Sequence, residues 1–239
     1  AFTGCNKLSN VTFVGDISIG NYTFDSCKSL KNLILIGNTR SIGNRAFYYC
    51  SNLQSDIILR NITSLGQYAF YQCFSIKSVT LIGNYIDVHI RSFYYCTSLQ
   101  HLEIDCESIS IKDNVFFHCE NLTNISIKAD YNRIESHSFY GCIKLHNLTL
   151  KAKDLSIGSK AFSLCDNLQF IHLEGEYIKG NNLFLYCPNI INVSLTSKFL
   201  DCDNLFYQNN NISNIYLSAN LIPSSLFSDC SNIKNITFD

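Results

Sequence analysis

Several residue types that usually mark a function are missing or scarce in this chain. Met and Trp are absent, Pro occurs twice, and the formal net charge is −1. A protein that binds nucleic acid is expected to carry an excess of positive charge, and this chain does not. No apolar run approaches the roughly 18–20 residues of a membrane helix, so we expect no membrane span in this segment. Because there is no initiator Met, we expect residues 1–239 to be a processed chain or a fragment of a longer one.

The motifs of common catalytic and metal sites are also missing. The chain has neither a Cys-x-x-Cys pair nor a His-x-x-x-His or His-Glu-x-x-His spacing. No phosphate-binding loop, no recurring Ser/His/Asp set and no carboxylate pair stands out. We therefore expect no metal, no cofactor and no catalytic residue, which indicates that the protein is not an enzyme.

An internal repeat runs through the whole sequence. Its most regular element is a Phe followed three positions later by Cys, and the distance from one such Phe to the next is 21 to 23 residues. The ladder Phe residues are Phe2, Phe24, Phe47, Phe70, Phe93, Phe116, Phe139, Phe162, Phe184, Phe206 and Phe227. Such a fixed period is typical of a solenoid, in which short units bury their apolar side chains only by stacking.

Within each unit the apolar residues predict short β-strands. After the Cys comes Leu or Ile three positions on, as at Leu30, and then two apolar positions spaced by two, as at Leu33 and Leu35. A spacing of two indicates a strand with one buried face. We expect about eleven coils in a single array over 1–239, with parallel sheets along the stack. Neither end carries the polar cap that a solenoid needs, which favours a fragment.

The chain resembles the BspA-like type of leucine-rich repeat. The resemblance rests on units such as Ser41-Ile-Gly-Asn-Arg-Ala-Phe-Tyr-Tyr-Cys-Ser-Asn-Leu53, and it covers essentially the whole sequence. It implies a curved, right-handed solenoid with a parallel β-sheet on its concave side. It also implies a microbial surface or secreted protein that holds host proteins or other cells.

The repeated Cys residues are interpreted as buried free thiols. Parallel Cβ vectors in a ladder are poorly aimed for disulfide bonds, although stacked coils would bring successive Cα atoms close enough. A small apolar side chain beside each ladder Phe explains all ten repeated Cys. Cys106 and Cys202 lie outside the ladder. Unbridged thiols favour a reducing compartment, which opposes the surface interpretation.

Two units depart from the pattern. Asp56 stands where other units have a buried apolar residue, so either a carboxylate is buried there or the strand is distorted and Ile57 turns inward. We favour the distortion. The tenth unit has Asn209 in place of Cys, within a polar run, and we expect a loosened corner there.

Residues that point outward from the first strand of each unit form the candidate binding surface. In the first units these residues are apolar: Val14, Ile34, Ile36, Ile57, Leu59 and Ile82. In later units they are mostly charged: Glu103, Asp105, Lys128, Lys151, His172 and Glu174. An exposed apolar patch usually marks an interaction site, although stacked β-branched residues also simply favour a sheet.

Aromatic residues beside the ladder Phe form a second candidate surface. One row holds Tyr48, Tyr71, Tyr94, Phe117 and Tyr140, and another holds Tyr49, Tyr95 and Tyr186. Exposed aromatic rows can bind proteins or sugars. We favour the other interpretation, that they stack on one another and shield the edge of the core.

These patterns leave two functions open. The first is a surface or secreted scaffold that binds a protein, or alternatively a glycan, through its sheet face. The second is a cytoplasmic structural component of a larger assembly.

Overall fold

Most units of the repeat fold into one coil that contains two short strands and a corner at the ladder Phe. The structure, a computed structural model, describes all residues from Ala1 to Asp239 and contains strands and turns but no helix. With one exception, described below, equivalent strands of successive coils pair in parallel. The predicted solenoid of about eleven stacked coils with parallel sheets is confirmed.

The strands are numbered in chain order and form two sheets along the stack. The first sheet contains the first strand of each coil: β1 (Asn10–Val14), β3 (Asn32–Ile36), β5 (Ile57–Arg60), β7 (Ser78–Ile82), β9 (His101–Asp105), β11 (Asn124–Lys128), β13 (Asn147–Lys151), β15 (Phe170–Asn181), β16 (Asn192–Asp203), β17 (Asn214–Ala219) and β18 (Asn235–Phe238). The second sheet contains β2 (Ile17–Ile19), β4 (Thr39–Ile42), β6 (Ser64–Leu65), β8 (Tyr85–Val88), β10 (Ser108–Ile111), β12 (Tyr131–Ile134) and β14 (Asp154–Ile157). The long strands β15 and β16 run through the bend and join the two sheets. The first sheet is interrupted once, because β3 and β5 are not paired.

The core is a continuous column of apolar side chains between the two sheets and the Phe corners. All eleven ladder Phe rings stack in order, with centroids 5.0 to 5.7 Å apart and interplanar angles of 20° or less. The rings from Phe24 to Phe206 are at most 1% exposed. Only Phe2, in the first coil, has a ring that is half exposed, because nothing stacks on its outer face.

The repeated Cys links each corner to the preceding coil. The thiol of Cys50 donates to the carbonyl oxygen of Phe24 at 3.2 Å, and Cys73 does the same to Phe47 at 3.1 Å. The pattern holds along the stack, and the ladder thiols from Cys27 to Cys187 are buried as expected. A thiol combines an apolar volume with one weak donor, which suits this position.

The tenth coil corrects one expectation. Asn209 is 2% exposed, and its amide donates to the carbonyl oxygen of Phe184 at 3.0 Å, as a ladder thiol would. The rings of Phe206 and Phe227 still stack at 5.1 Å. The expected loosened corner is therefore wrong, because the carboxamide supplies the same donor as the missing thiol.

The corners are held together by the backbone, although they are not strands. The residue two positions after each ladder Phe has a positive φ in every coil, as at Tyr49 with φ of 58°. Its N–H donates to the next coil: Tyr49 to Tyr71 at 2.8 Å, beside the bond from Phe47 to Ala69 at 2.8 Å. A positive φ is uncommon in residues other than Gly. Here it points the N–H of the residue towards the carbonyl oxygen of the next coil.

One core position of the second sheet is occupied by an unsatisfied amide. Asn132 is 2% exposed and is aligned between Ile109 and Leu155 in the adjacent strands. Neither its nitrogen nor its oxygen has a hydrogen-bond partner. Burying an unpaired amide opposes folding, so this residue is a local weakness in an otherwise apolar row.

We expect Asn132→Leu to stabilise the fold. Removing an unpaired amide and filling the row with apolar volume should raise the free energy of unfolding by about 1–3 kcal/mol. Asn209→Leu is the matched control and should lower it, because that amide is hydrogen-bonded. Urea unfolding of both variants measures the difference, and a loss of stability in Asn132→Leu would contradict the assignment.

The buried thiols predict a loss of stability at alkaline pH. Burial raises the pKa of Cys50 and of Cys202 to about 12, and it raises the pKa of Cys73 and Cys119 well above the ordinary value. These thiols ionise first in the unfolded chain, so their stabilisation is complete below the unfolded pKa and is lost as the pH rises towards the folded pKa.

Above about pH 8.5, each such thiol should therefore lower the free energy of unfolding by about 1.4 kcal/mol per pH unit. Unfolding by urea under reducing conditions from pH 7 to 11 measures the slope. Cys50→Ser keeps a donor to Phe24 and should make the decline shallower. A flat profile up to pH 10.5 would show that the thiols are not buried.

Candidate functional site

The outward face of the first sheet is apolar in the first two coils. Val14 is 75% exposed, Ile34 is 50% exposed and Ile36 is 55% exposed. Strand register places Val14 beside Ile36, so these side chains lie next to one another on β1 and β3. Their inward neighbours, such as Leu33, pack into the core. This part of the predicted surface points outward as expected.

The third coil differs from the prediction. Ile57 and Leu59 were expected to face outward, but they are 1% and 0% exposed, whereas Ile58 is 42% exposed. Asp56 is exposed, so the favoured interpretation of a distorted strand with Ile57 turned inward is confirmed. The outward assignment of Ile57 and Leu59 is wrong.

The reason is one residue that the third coil has gained before its strand. Leu33 follows Leu30 by three positions, whereas Ile57 follows Leu53 by four. A shift by one residue exchanges the two faces of a strand. The coil has one residue fewer after β5, so the distance from Phe47 to the next ladder Phe, Phe70, remains 23 residues. Register confirms the shift, since Ile57 is aligned with Val79 and Leu59 with Leu81.

The inserted residue also explains the gap between β3 and β5. The N–H of Leu33, which has no strand partner on that side, donates to the hydroxyl of Ser55 at 2.8 Å. The apolar surface therefore crosses a step in the sheet. We call it the N-terminal sheet patch and define it by its exposed members and the half-buried Ile82: Val14, Ile34, Ile36, Ile58 and Ile82.

The same face becomes charged in the later coils. Lys151 and Glu174, which lie opposite one another on β13 and β15, are joined at 2.6 Å, and His172 approaches the same carboxylate at 3.1 Å. Hydrogen bonds from Lys151 and His172 hold the pKa of Glu174 below its ordinary value. Glu103, Asp105 and Lys128 are exposed on the same face. The face is therefore apolar in the first two coils and carries charged side chains in the later ones.

A groove of about 770 Å³ lies along the bend between the two sheets in these later coils. Two ion pairs line it, Lys153 with Asp130 at 2.7 Å and Lys198 with Glu176 at 3.3 Å, whereas Asp105 and Lys128 form no ion pair. Burial raises the pKa of Cys106, which also lines the groove, to about 11. No three His, Cys, Asp or Glu side chains come close enough together to hold a metal ion.

The aromatic row beside the ladder Phe stacks on itself. Tyr48, Tyr71, Tyr94, Phe117 and Tyr140 have successive ring centroids 4.9 to 5.1 Å apart and are all half-buried. The guanidinium of Arg45 lies 4.0 Å from the centroid of Tyr48. Burial also raises the pKa of Tyr71 and Tyr94. This agrees with the favoured interpretation that the row shields the edge of the core.

A second set of aromatic residues was not identified from the sequence. Tyr85, Tyr131, Tyr177 and Phe199 begin the second-sheet segment of their coils and are 51 to 53% exposed. We call them the outer aromatic row. Each stands fifteen positions after a ladder Phe, a regularity that is visible in the sequence once the units are aligned.

Comparisons with known proteins agree with the fold. The family model described as BspA type leucine rich repeat region matches in six copies, over residues 1–100, 87–204 and 180–239. A search of curated proteins finds no significant match. The structure offers no helix that would reach across a bilayer.

Three solved structures are similar to this chain. A leucine-rich repeat protein from Bacteroides ovatus has a TM-score of 0.69 and 21% identity, over 99% of this chain and 62% of that one. The T. pallidum leucine rich repeat protein has a TM-score of 0.55 and 21% identity, over 73% and 83%. A leucine rich cell surface protein from Faecalibacterium prausnitzii has a TM-score of 0.39 and 18% identity, over 97% and 83%. At these identities the likeness concerns the fold alone, and this chain spans about three fifths of the Bacteroides protein.

The strand shift in the third coil can be tested with adjacent substitutions. Ile57→Asp should lower the free energy of unfolding by several kcal/mol, because it buries a carboxylate without a partner. Ile58→Asp, one residue on, should change it by less than about 1 kcal/mol, because the side chain faces solvent. Chemical denaturation of both variants shows which of the two side chains is buried. A larger loss of stability in Ile58→Asp than in Ile57→Asp would place Ile58 in the core.

Proposed function

The chain belongs to the BspA-type leucine-rich-repeat family, and we propose that it is a non-catalytic scaffold that binds a protein partner through the N-terminal sheet patch. The observation that carries this proposal is the exposure of Val14, Ile34 and Ile36 side by side. Soluble proteins rarely leave apolar side chains together in water unless they meet a partner.

The arrangement of the face supports a protein as the partner. An apolar centre buried by the partner would supply most of the binding energy, as in the central part of ordinary interfaces. The charged part of the same face, with Lys128 exposed and Lys151 beside Glu174, would orient the partner by charge. Because the sheet is built from stacked coils, the two parts keep a fixed separation.

The family resemblance favours a site of action at the cell surface or outside the cell, and we include this in the proposal. One observation favours the second candidate, a structural component inside the cell. All twelve Cys are unbridged, and thiols persist most readily in a reducing compartment. Treating intact cells with a protease that cannot enter them separates the two, because only a surface protein would be degraded.

The binding proposal is tested with Ile34→Asp combined with Ile58→Asp. The two carboxylates would have to lose water inside an apolar contact, so the affinity for a partner should fall about tenfold or more. The control combines Lys128→Ala with Lys151→Ala and should change affinity less, because it removes charges that remain near solvent. Immobilised protein is titrated against a panel of purified secreted and cell-surface proteins.

Both double variants must first unfold at the same denaturant concentration as the parent. Undiminished binding by the Asp variant would place the site elsewhere on the molecule. A parent protein that binds nothing in the panel but is captured with proteins of its own cytosol would support the intracellular assembly instead.

A further inference from the structure

The outward face of the first sheet carries an uncharged cavity in the seventh to eleventh coils. The cavity has a volume of about 710 Å³ and extends over β13, β15, β16, β17 and β18. Its polar lining consists of carboxamides, hydroxyls and one imidazole, and no Asp, Glu, Lys or Arg side chain contributes to it. We call it the C-terminal sheet cleft and define it by Phe170, His172, Asn192, Ser194 and Tyr216.

Phe170 interrupts a row of Asn residues on this face. Strand register aligns it with Asn147 on one side and with Asn192, Asn214 and Asn235 on the other. The amide of Asn214 donates to the carboxamide oxygen of Asn192 at 2.8 Å, and Asn235 donates to Asn214 at 2.8 Å. Phe170 cannot join this ladder, and its side chain is left 47% exposed. Packing within the protein therefore does not explain an aromatic residue at this position.

Tyr216 is a second exposed aromatic residue in a row of small residues. It is aligned with Ser194 and Thr237 in the adjacent strands and is 36% exposed. Its hydroxyl donates to the carboxylate of Asp239 at 2.9 Å, which holds the side chain in place. Phe170 and Tyr216 stand two coils and two residues apart, on either side of β16, so their Cα atoms are separated by about 12 Å. The cleft is thus bordered by one ring on each side.

Hydrogen bonds fix the polar groups between the two rings. The carboxylate of Glu174 can only accept, so Nε2 of His172 donates to it at 3.1 Å, and Nδ1 of the neutral ring accepts from the hydroxyl of Ser194 at 2.9 Å. The oxygen of Ser194 is then free to accept from a ligand. The carboxamide oxygen of Asn192 is used by Asn214, whereas its amide nitrogen donates to no group of the protein. The floor of the cleft therefore offers an acceptor and a donor in fixed positions.

The chemistry of the cleft suits a neutral sugar. A sugar combines C–H groups that pack against aromatic rings with hydroxyl groups that both donate and accept hydrogen bonds. The nearest charges are already neutralised, because Lys151 pairs with Glu174 at 2.6 Å beside the cleft. An anionic ligand such as a nucleic acid would need unpaired positive charge, which the lining does not supply. The distance between the two rings calls for more than one sugar unit.

We propose that the C-terminal sheet cleft binds a neutral oligosaccharide of two or three sugar units. The sugar lies over β16, where its hydroxyl groups donate to the oxygen of Ser194 and accept from the amide of Asn192. Its C–H groups contact Phe170 and Tyr216 where these rings border the cleft. The N-terminal sheet patch lies in other coils of the same sheet, so the two surfaces can be tested separately and either proposal can fail without the other.

The first experiment titrates the parent protein against an array of neutral glycans of one to four sugar units. The same glycans capped with sialic acid or sulfate are tested beside them. Neutral di- or trisaccharides should bind, and the charged caps should weaken binding about tenfold or more, because a charge would lose water without finding a partner. Binding to no neutral glycan, or equal binding to capped and uncapped forms, would overturn the proposal.

The second experiment assigns binding to the cleft. Phe170→Asn with Tyr216→Thr copies the residues that neighbouring coils carry in the same two rows, so the variant should fold. The loss of two aromatic contacts should weaken binding roughly tenfold. The matched control, Tyr85→Ser with Tyr131→Ser, removes two exposed aromatic residues from the second sheet and should bind as the parent does. Undiminished binding by the cleft variant, or equal loss in the control, would contradict the assignment.

The third experiment separates sugar binding from protein binding. A glycoprotein with neutral N-glycans is titrated before and after enzymatic removal of the glycans, and binding that survives removal would make the cleft a protein-binding surface and overturn the proposal. Ser194→Ala should weaken binding of the glycan by about three- to tenfold, because it removes one hydrogen bond to the sugar. Ile34→Asp with Ile58→Asp should leave glycan binding unchanged, and a loss in that variant would place the sugar outside the cleft.

Discussion

The structure depends on the fact that a single coil cannot satisfy its own peptide groups. In the sheets these groups form hydrogen bonds with the next coil through parallel strand pairing. At the corners the N–H groups of residues with a positive φ, such as Tyr49, donate to the next coil. The carbonyl of Phe24 accepts both the N–H of Cys27 in its own coil and the thiol of Cys50 in the next. Each coil is therefore completed only by its neighbours, so the coils must stack in register.

Stacking in register turns each position of the repeat into a row on the molecule. Inward rows vary little, because each ladder Phe ring lies on the next and a donor at the Cys position must reach the carbonyl of the preceding coil. Asn209 shows how narrow the constraint is, since the side chain that replaces Cys still donates to Phe184. Outward rows carry no such constraint. Their composition can change from apolar to charged along one sheet while the backbone remains the same.

The inward rows could be predicted from sequence because they repeat, and the outward rows were harder because they do not. The Phe and Cys positions identified the coils, the strands and the buried column. Ile57 and Leu59 were assigned to the wrong face. The third coil gains one residue before β5 and loses one after it, so the period of the repeat does not reveal the shift. The donor role of Asn209 depends on a contact between coils that no local pattern reveals. The outer aromatic row was visible as a recurrence after the ladder Phe, but only exposure distinguishes it from a packed row.

The two aromatic rows show how spacing alone decides whether rings stack on one another. When Tyr48, Tyr71 and Tyr94 occupy successive coils, the interval between strands equals the thickness of stacked rings, and each face is used within the molecule. When a small or polar residue intervenes, as at Ser108, the interval doubles and the rings of Tyr85 and Tyr131 have no neighbouring ring to stack on. A solenoid can thus expose aromatic rings at every second coil without changing its fold.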